Sequence, residues 1–536
     1  MKNSILICLS LLFSTQNTLL QGKQQIKFKH PVYFTMEGNS DIKIERVKTN
    51  KKTTTLYFYS EGAPSSCIHI SSPTYLVDEE GKRHKMLSSK NIVSDKPIHY
   101  GKKGKIRFQI SFDPLPSNTK RFDMIEDYYN NLHRELYCIR ESGTPFVTNN
   151  IIDTVKMSEF VAKTFPDSIF IDDSLTLTGH FDSPDILKRG KVTLQIEQMK
   201  NYFITANNKY KNIKINVDSS GFFNARIPVI GPSIEKIIIR ANFPDSMIRI
   251  IPVMLYPGDN LRLRICDLDR FTQHVEYQSE KVDFCNLLNH TPSFVYPGIR
   301  YMSSGNLDAS WAMDSINRHI DNMDSLALYI ANKYSLNKIE TQQLRTETSI
   351  SGVLDVIYTL NDMLRKRSSE MLKRNRGIVT DDVRDTMIQI GMHPCYNVLS
   401  RIRAYDNTFM TASNNHIFFR NLISSTLFNK FYSDPTMGGR FPNLGENGEN
   451  VDYYSTMDST FVSLLSFFRH KSIESDAIFE QSFILYIYLT YFENNPLQSP
   501  NKTNLYRKII AMKNKLITLP VLQSLLKMTQ KDFVDW

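Results

Sequence analysis

The spacing of apolar residues changes once along this 536-residue chain, and the change limits the folds open to it. Up to about residue 275, apolar and polar residues alternate, as they do in half-buried β-strands. From about residue 276, apolar residues recur every three or four positions, as in amphipathic helices. A chain of this length also exceeds one ordinary hydrophobic core. The pattern predicts a multidomain α and β protein: two antiparallel β-sandwich domains followed by an all-α helical domain.

The N-terminal segment has the pattern of a secretory signal. Lys2 precedes an apolar run from Ile5 to Phe13, which is too short to cross a bilayer core that needs about 20 residues. We expect a signal peptide that is removed, and a mature protein in the periplasm or cell envelope of a Gram-negative bacterium, without a transmembrane anchor. The predicted segments are 1–22 for the signal peptide, 23–140 for the first β-sandwich, 141–172 for a connector, 173–275 for the second β-sandwich and 276–536 for the helical domain.

The segment FQISFDPLPSNTKRFDMIE, residues 108–126, predicts how the first sandwich closes. Its strand places three apolar side chains on one face: Phe108, Ile110 and Phe112. Pro114 and Pro116 end the strand because proline has no backbone N–H to donate. We therefore expect PLPSNTK to cross between two sheets, with Phe122 and Ile125 returning to the core on the far side.

Three short segments of the β-rich region predict tight turns between strands. VDEEGKRH predicts a hairpin, because Gly81 can supply the positive φ of a tight turn. Asp218 and Gly221 predict a turn before a strand with Phe223, Ala225 and Ile227 facing inward. Pro257 and Gly258 fit a type II turn. After it, arginines alternate with three residues expected in the core: Leu261, Leu263 and Ile265.

The helical region begins with a clear amphipathic segment, WAMDSINRHIDNMDSLALYI. Its apolar residues form one stripe: Met313, Ile316, Ile320, Met323 and Ala327. Similar spacing continues towards residue 516, interrupted by a glycine- and proline-rich loop over 433–450.

Charge and motifs exclude several classes of function. The net charge of +10 is modest for this length, and the densest basic patch, over 365–376, lacks the aromatic residues that stack on bases. We therefore expect no nucleic-acid partner. The sequence contains no HExxH, no zinc-spaced pair of CxxC motifs, no phosphate-binding glycine loop and no GxSxG. We accordingly assign no catalytic, cofactor-binding or metal-binding residue and expect no cofactor.

The order of these regions, with FQISFDPLPSNTKRFDMIE in the first β domain and VDSSGFFNARIPV and LYPGDNL in the second, resembles a known family. The chain is similar to the N-terminal, non-catalytic part of the TlpA-like thiol:disulfide oxidoreductases of Bacteroidota. That family carries its chemistry in a Trp-Cys-x-x-Cys motif of a C-terminal thioredoxin-like domain, and this motif is absent here. The resemblance therefore implies an envelope protein and transfers no catalytic position.

Five cysteines follow the predicted signal peptide, and no two of them are within ten residues. Cys67 and Cys138 are candidates for a disulfide in the first β domain, and two separate buried thiols are an equal alternative. Cys266 and Cys285 are a weaker candidate pair. Cys395 lies beside His393, but Pro394 between them favours a packing role over a nucleophile–base pair.

These observations favour an exported, non-catalytic binding or scaffold protein whose partner is an unknown protein or peptide of the envelope. One alternative is a truncated oxidoreductase whose thioredoxin domain is lost or supplied in trans. Another is a hydrolase-type enzyme with a site in the helical domain, drawing on four polar residues: His319, His393, His416 and Arg420.

Overall fold

The computed structural model describes residues 27–35, 42–126, 135–144, 173–199, 210–290, 309–354 and 523, with short gaps at 63, 65, 73, 183, 189, 230, 243–247 and 270–271. The predicted signal peptide, most of the predicted connector and nearly all of the predicted helical domain beyond residue 354 lie outside these residues. The chain divides into two compact units, Met1–Thr148 and Asn149–Trp536.

The described part of the first unit consists of short antiparallel strands. Strands β1–β11 are Lys27–Lys29, Val32–Thr35, Ile42–Thr49, Thr54–Glu61, Cys67–Ile68, Thr74–Val77, Arg83–Lys90, Ile98–His99, Lys105–Phe112, Arg121–Glu126 and Glu135–Arg140. Nine of them form one sheet in the order β1-β3-β4-β9-β7-β6-β10-β11-β2, and β5 pairs with β8 in a separate ribbon. The edge strands β1 and β2 are joined by only His30 and Pro31, so the sheet curls into a half-barrel around one apolar core.

The β-rich, antiparallel character predicted for this region is confirmed, and its strands form one continuous sheet. The hairpin of β6 and β7 explains the continuity, since β7 pairs with β6 on one side and with β9 on the other. The predicted hairpin at VDEEGKRH is this one. Gly81 has a φ of 81°, and its amide donates to the Asp78 carbonyl at 3.1 Å.

The predicted crossing from one sheet to another at PLPSNTK is wrong: the segment between β9 and β10 joins two strands of the same sheet that are not neighbours in it. The core positions predicted for β9 are confirmed, and Phe122 of β10 is buried and stacks on Phe28 at 6.2 Å. The prediction for Ile125 is wrong. Met124 enters the core instead and Ile125 is only half-buried, because side chains of a strand reach the same face at every second residue.

In the second unit, strands β12–β19 are Asp173–Phe181, Thr193–Met199, Tyr210–Asn216, Phe222–Val229, Ser233–Arg240, Arg249–Leu255, Asn260–Asp269 and Thr272–Gln278. They form two four-stranded sheets, which we call the β12 sheet (β15-β12-β18-β19) and the β13 sheet (β14-β13-β16-β17). Apolar residues of both sheets belong to one core. One expectation is corrected: β12 and β18 run parallel, so this unit is not purely antiparallel.

The local predictions for the second unit are confirmed at both turns. The amide of Asp259 donates to the Tyr256 carbonyl at 3.2 Å, and Gly258 has the φ of 68° that a type II turn requires. The predicted inward residues Leu261, Leu263 and Ile265 are buried, as are Phe223 and Ile227.

The described helices are α1 (Pro184–Leu187), α2 (Cys285–His290), α3 (Ala309–Lys333) and α4, which begins at residue 338 and is described as far as residue 354. Met323 and Ala327 of the predicted stripe are buried in α3, whereas the other stripe side chains lie outside the described part. Asn337 caps α4: its Oδ1 accepts from the Glu340 amide, and Glu340 Oε2 accepts from the Asn337 amide, each at 2.9 Å. Within the described residues, no helix is long and apolar enough to cross a membrane.

Candidate functional site

A groove of about 840 Å³ lies on the outer face of the β12 sheet, opposite the side that packs into the core. Its lining comes from all four strands of that sheet and from residues 216–218, at the end of β14 and the start of the connection to β15. Alternation along each strand explains this composition. Leu177, Phe223 and Leu263 point into the core, so their neighbours along the strands point into the groove.

The register of the sheet arranges the groove side chains in two transverse rows. The first row consists of Phe222, His180, Arg264 and Glu276, which are direct cross-strand neighbours in that order. The second row, two residues further along each strand, consists of Asn224, Thr178, Arg262 and Gln278. Adjacent residues in a row are close enough to interact, because paired strands lie roughly 4.8 Å apart.

The charges of the first row are compensated. Asp182, directly after β12, places Oδ1 2.8 Å from His180 Nε2 and Oδ2 2.8 Å from Arg264 Nε. Arg264 also donates from Nη1 to Glu276 Oε2 at 3.0 Å. The hydrogen bond with Glu276 and the negative charge of Asp182 raise the pKa of Arg264 above its usual value. The Arg264 guanidinium is therefore engaged by two carboxylates of the protein itself.

An aromatic ring lies at one end of the first row. Phe222 is 57% exposed, the most exposed large apolar residue among those described, and its ring centroid is 5.4 Å from that of His180. A ring exposed at the end of a groove offers apolar surface on which a ligand can pack.

The second row contains a cation without a compensating charge. Arg262 is exposed, and its guanidinium has no hydrogen-bond or ion-pair partner in the described part of the chain. Its row neighbours are the uncharged Thr178 and Gln278. Asp218, at the edge of the groove, has its Oδ1 committed to the turn, where it accepts from the amides of Ser220 and Phe222 at 2.9 Å each.

Cys266 lies next to the groove, in a β-bulge between Ile265 and Asp267. Burial, together with the negative charges of Glu276 and Asp182, raises the pKa of this thiol to about 11. A thiol with this pKa is almost entirely protonated at neutral pH, whereas nucleophilic cysteines need a lowered pKa. The surroundings of Cys266 therefore do not activate it.

The four cysteines of the two candidate disulfides differ in their burial and in their contacts. Cys67 is exposed in β5, and Cys138 is fully buried in β11. Cys285 begins α2, and its Sγ donates to the Tyr277 carbonyl at 3.0 Å. All four are free thiols, so neither candidate disulfide is present in this structure.

The residues of the hydrolase alternative are not brought together in the described part. The backbone of His319 belongs to α3, but its side chain lies outside the description. His393, His416 and Arg420 lie outside the described residues, and so does Cys395, for which a packing role is predicted. Among the residues that are described, no three His, Cys, Asp or Glu side chains are grouped as a metal site would require.

Sequence reasoning did not find the groove. Its rows depend on which strands are neighbours, and the parallel pairing of β12 with β18 is not visible in the local pattern. The doubled aromatic in GFFNARI was the available signal, since alternation must turn one of Phe222 and Phe223 outward.

Comparison with models of known protein families finds no match to this sequence. Comparison with curated proteins finds none either. The geometry of the groove is therefore the main guide to function.

Proposed function

We propose that this chain is an exported cell-envelope protein that binds a protein or peptide partner, without catalysing a reaction, through the groove of the β12 sheet. The observation that carries the proposal is the groove itself, where the exposed ring of Phe222 and the uncompensated guanidinium of Arg262 lie on one sheet. Apolar surface beside a polar group that fixes orientation is typical of binding sites.

The proposal includes the finer architecture, in which two β-rich domains precede an all-α domain, and a relationship to the N-terminal regions of TlpA-like oxidoreductases. The resemblance of region order supports that relationship. The raised pKa of Cys266 favours binding over thiol exchange at the groove. A scaffold that holds a redox protein supplied in trans is compatible with this role.

Export is tested by expressing the full chain in a Gram-negative host and fractionating the cells. We expect the protein in the envelope or periplasmic fraction, with a mature N-terminus near residue 23. Intact Met1 in the cytoplasmic fraction would contradict the localisation.

Binding is tested with fluorescein-labelled peptides of about a dozen residues and varied sequence, measured by fluorescence polarisation against the purified full chain. We expect Phe222→Ala to weaken binding about tenfold, because roughly half a phenylalanine side chain loses its contact with the ligand. Ile248→Ala is the matched control, since Ile248 is a 40% exposed apolar residue of the same unit that does not line the groove. The proposal fails if no peptide binds, or if the two variants behave alike.

A further inference from the structure

We infer that the groove selects an extended peptide with one carboxylate side chain, which Arg262 binds, and one apolar side chain, which packs on Phe222. This inference rests on the proposed function and specifies its ligand.

The contrast between the two groove arginines gives the position of the carboxylate. Arg264 donates from Nε to Asp182 at 2.8 Å and from Nη1 to Glu276 at 3.0 Å, so two carboxylates of the protein already balance its positive charge. Arg262 is its neighbour two residues earlier on β18 and meets no acid in the described part of the chain. A guanidinium binds a carboxylate through two parallel hydrogen bonds, and of these two arginines only Arg262 has a charge that no carboxylate of the described part already balances.

The two carboxylates at the first row disfavour a ligand carboxylate near that row. Asp182 and Glu276 would repel a ligand carboxylate placed over that row. The ligand acid is therefore directed to the second row, where Thr178 and Gln278 carry no charge and can add hydrogen bonds. The single positive charge of the Arg262 guanidinium neutralises one carboxylate, whereas a doubly charged phosphate would keep one negative charge that is not neutralised.

The distance between the two contacts sets the spacing of the ligand. Phe222 and Arg262 are separated by two strand intervals and one row. With strands about 4.8 Å apart and about 3.4 Å per residue along a strand, their Cα atoms are roughly 12 Å apart. An extended peptide spans this distance in about four residues, and an even spacing also turns both of its side chains to the same face.

The inference is tested with three labelled peptides built on one neutral background of serine, threonine and glycine. Each contains a phenylalanine and, four positions away, glutamate, glutamine or phosphoserine. Fluorescence polarisation gives Kd for the full chain, for Arg262→Gln and for Arg240→Gln. The last is the matched control, because Arg240 is an exposed arginine at the end of β16 in the β13 sheet, outside the groove.

We expect the glutamate peptide to bind at least about tenfold more tightly than the glutamine peptide, the range of a charge-assisted hydrogen bond. Arg262→Gln should abolish this preference, and Arg240→Gln should retain it. Circular dichroism of both variants should match the original protein, because both positions are exposed.

The outcomes separate the inference from the proposed function. Equal binding of the glutamate and glutamine peptides, or a preference that survives Arg262→Gln, overturns the inference and leaves peptide binding intact. Tighter binding of the phosphoserine peptide overturns the assignment to a carboxylate. Absence of binding by all three peptides, and by the varied peptides above, overturns the proposed function as well.

Discussion

Glu340 Oε1 accepts a hydrogen bond from the backbone amide of Leu287 at 2.9 Å, which ties the start of α4 to α2 across 53 residues of sequence. The other carboxylate oxygen accepts from the Asn337 amide at 2.9 Å. Glu340 is fully buried, and this burial raises its pKa despite the hydrogen bonds from Leu287 and Asn337. One side chain therefore completes the N-terminal cap of α4 and satisfies a buried amide of its neighbour.

Replacing Glu340 with alanine is expected to loosen both helices. The change removes the acceptor of the buried Leu287 amide and one acceptor of the exposed capping residue Asn337, at a cost of roughly 1–3 kcal/mol. Hydrogen–deuterium exchange of peptides covering α2 and α4 measures the loss as a lower free energy of local opening. Glu280→Ala is the control, because Glu280 is exposed and accepts only from the Asn260 side chain among the described contacts. Equal protection of the helices in the two variants would contradict the role given to Glu340.

The cap of α4 also shows which features can be predicted from sequence. Features that depend on a few adjacent residues were predictable: the type II turn at Pro257 and Gly258, and the alternation from Leu261 to Ile265. Each is set by the φ range of its own residues or by the two-residue period of a strand.

Features that depend on distant segments were not predictable. The hydrogen bond between Leu287 and Glu340 joins two helices, and the first groove row exists only because β12 pairs with β18. The wrong placement of Ile125 has a different cause, because its odd spacing from Phe122 already conflicted with the strand period. Which strands pair and which helices meet depends on the packing energy of the whole core, and local sequence patterns do not reveal it.

The buried pair of Asp78 and His84 makes the stability of the first unit depend on pH. Asp78 Oδ2 lies 3.0 Å from His84 Nε2, and both residues are almost fully buried. Burial acts to raise the pKa of Asp78, but hydrogen bonds from His84 and from the amides of Lys82 and Glu80 outweigh it, so the pKa is lowered. A lowered folded pKa gives stability that is present above the ordinary carboxyl range and is lost as the pH falls through the folded pKa, below about pH 4.

We expect Asp78→Asn to lower the free energy of local opening of the β6–β7 hairpin by about 1–2 kcal/mol near neutral pH and to reduce its loss in acid. Hydrogen–deuterium exchange of the hairpin peptide, corrected for intrinsic rates down to about pH 3, measures both effects. Glu80→Gln, an exposed change in the same turn, should leave the profile unchanged. If the free energy of local opening falls in acid as much in Asp78→Asn as in the original protein, another titrating group causes the fall.

The described cysteines are expected to differ widely in reactivity. Cys67 is exposed, whereas burial raises the pKa of Cys138 to about 11 from an ordinary value of 9.0. Two pKa units lower the thiolate fraction at neutral pH about a hundredfold, and burial of Cys138 slows its alkylation further. Timed alkylation of the native protein followed by mass spectrometry should modify Cys67 first and Cys138 last. The rate of alkylation of Cys266 should rise about tenfold per pH unit until the pH reaches the pKa of this thiol, about 11.

The same experiment tests the candidate disulfides. Free thiols at Cys67 and Cys138 predict that Cys67 is alkylated without prior reduction. In protein purified from an oxidising compartment, Cys67 that resists alkylation until a reductant is added would instead favour its disulfide with Cys138.

Gly179 lies near the C-terminal end of β12, in the lining of the groove, where the neighbouring strands leave no room for a side chain. A Cβ atom at this position would overlap the Leu263 carbonyl oxygen of the neighbouring strand and lie 2.5 Å from Cζ of Phe223. Because the Leu263 oxygen belongs to the backbone of a central strand, it cannot move without disturbing the pairing of β12 with β18. We expect Gly179→Ala to lower the free energy of local opening of these strands by about 1–3 kcal/mol, as overpacking does in cores. Gly101→Ala is the control, because a Cβ there meets no atom within 4 Å and its φ is not positive. If hydrogen exchange in β12 and β18 is the same in Gly179→Ala and in the original protein, the two strands accommodate the added methyl group without loss of stability.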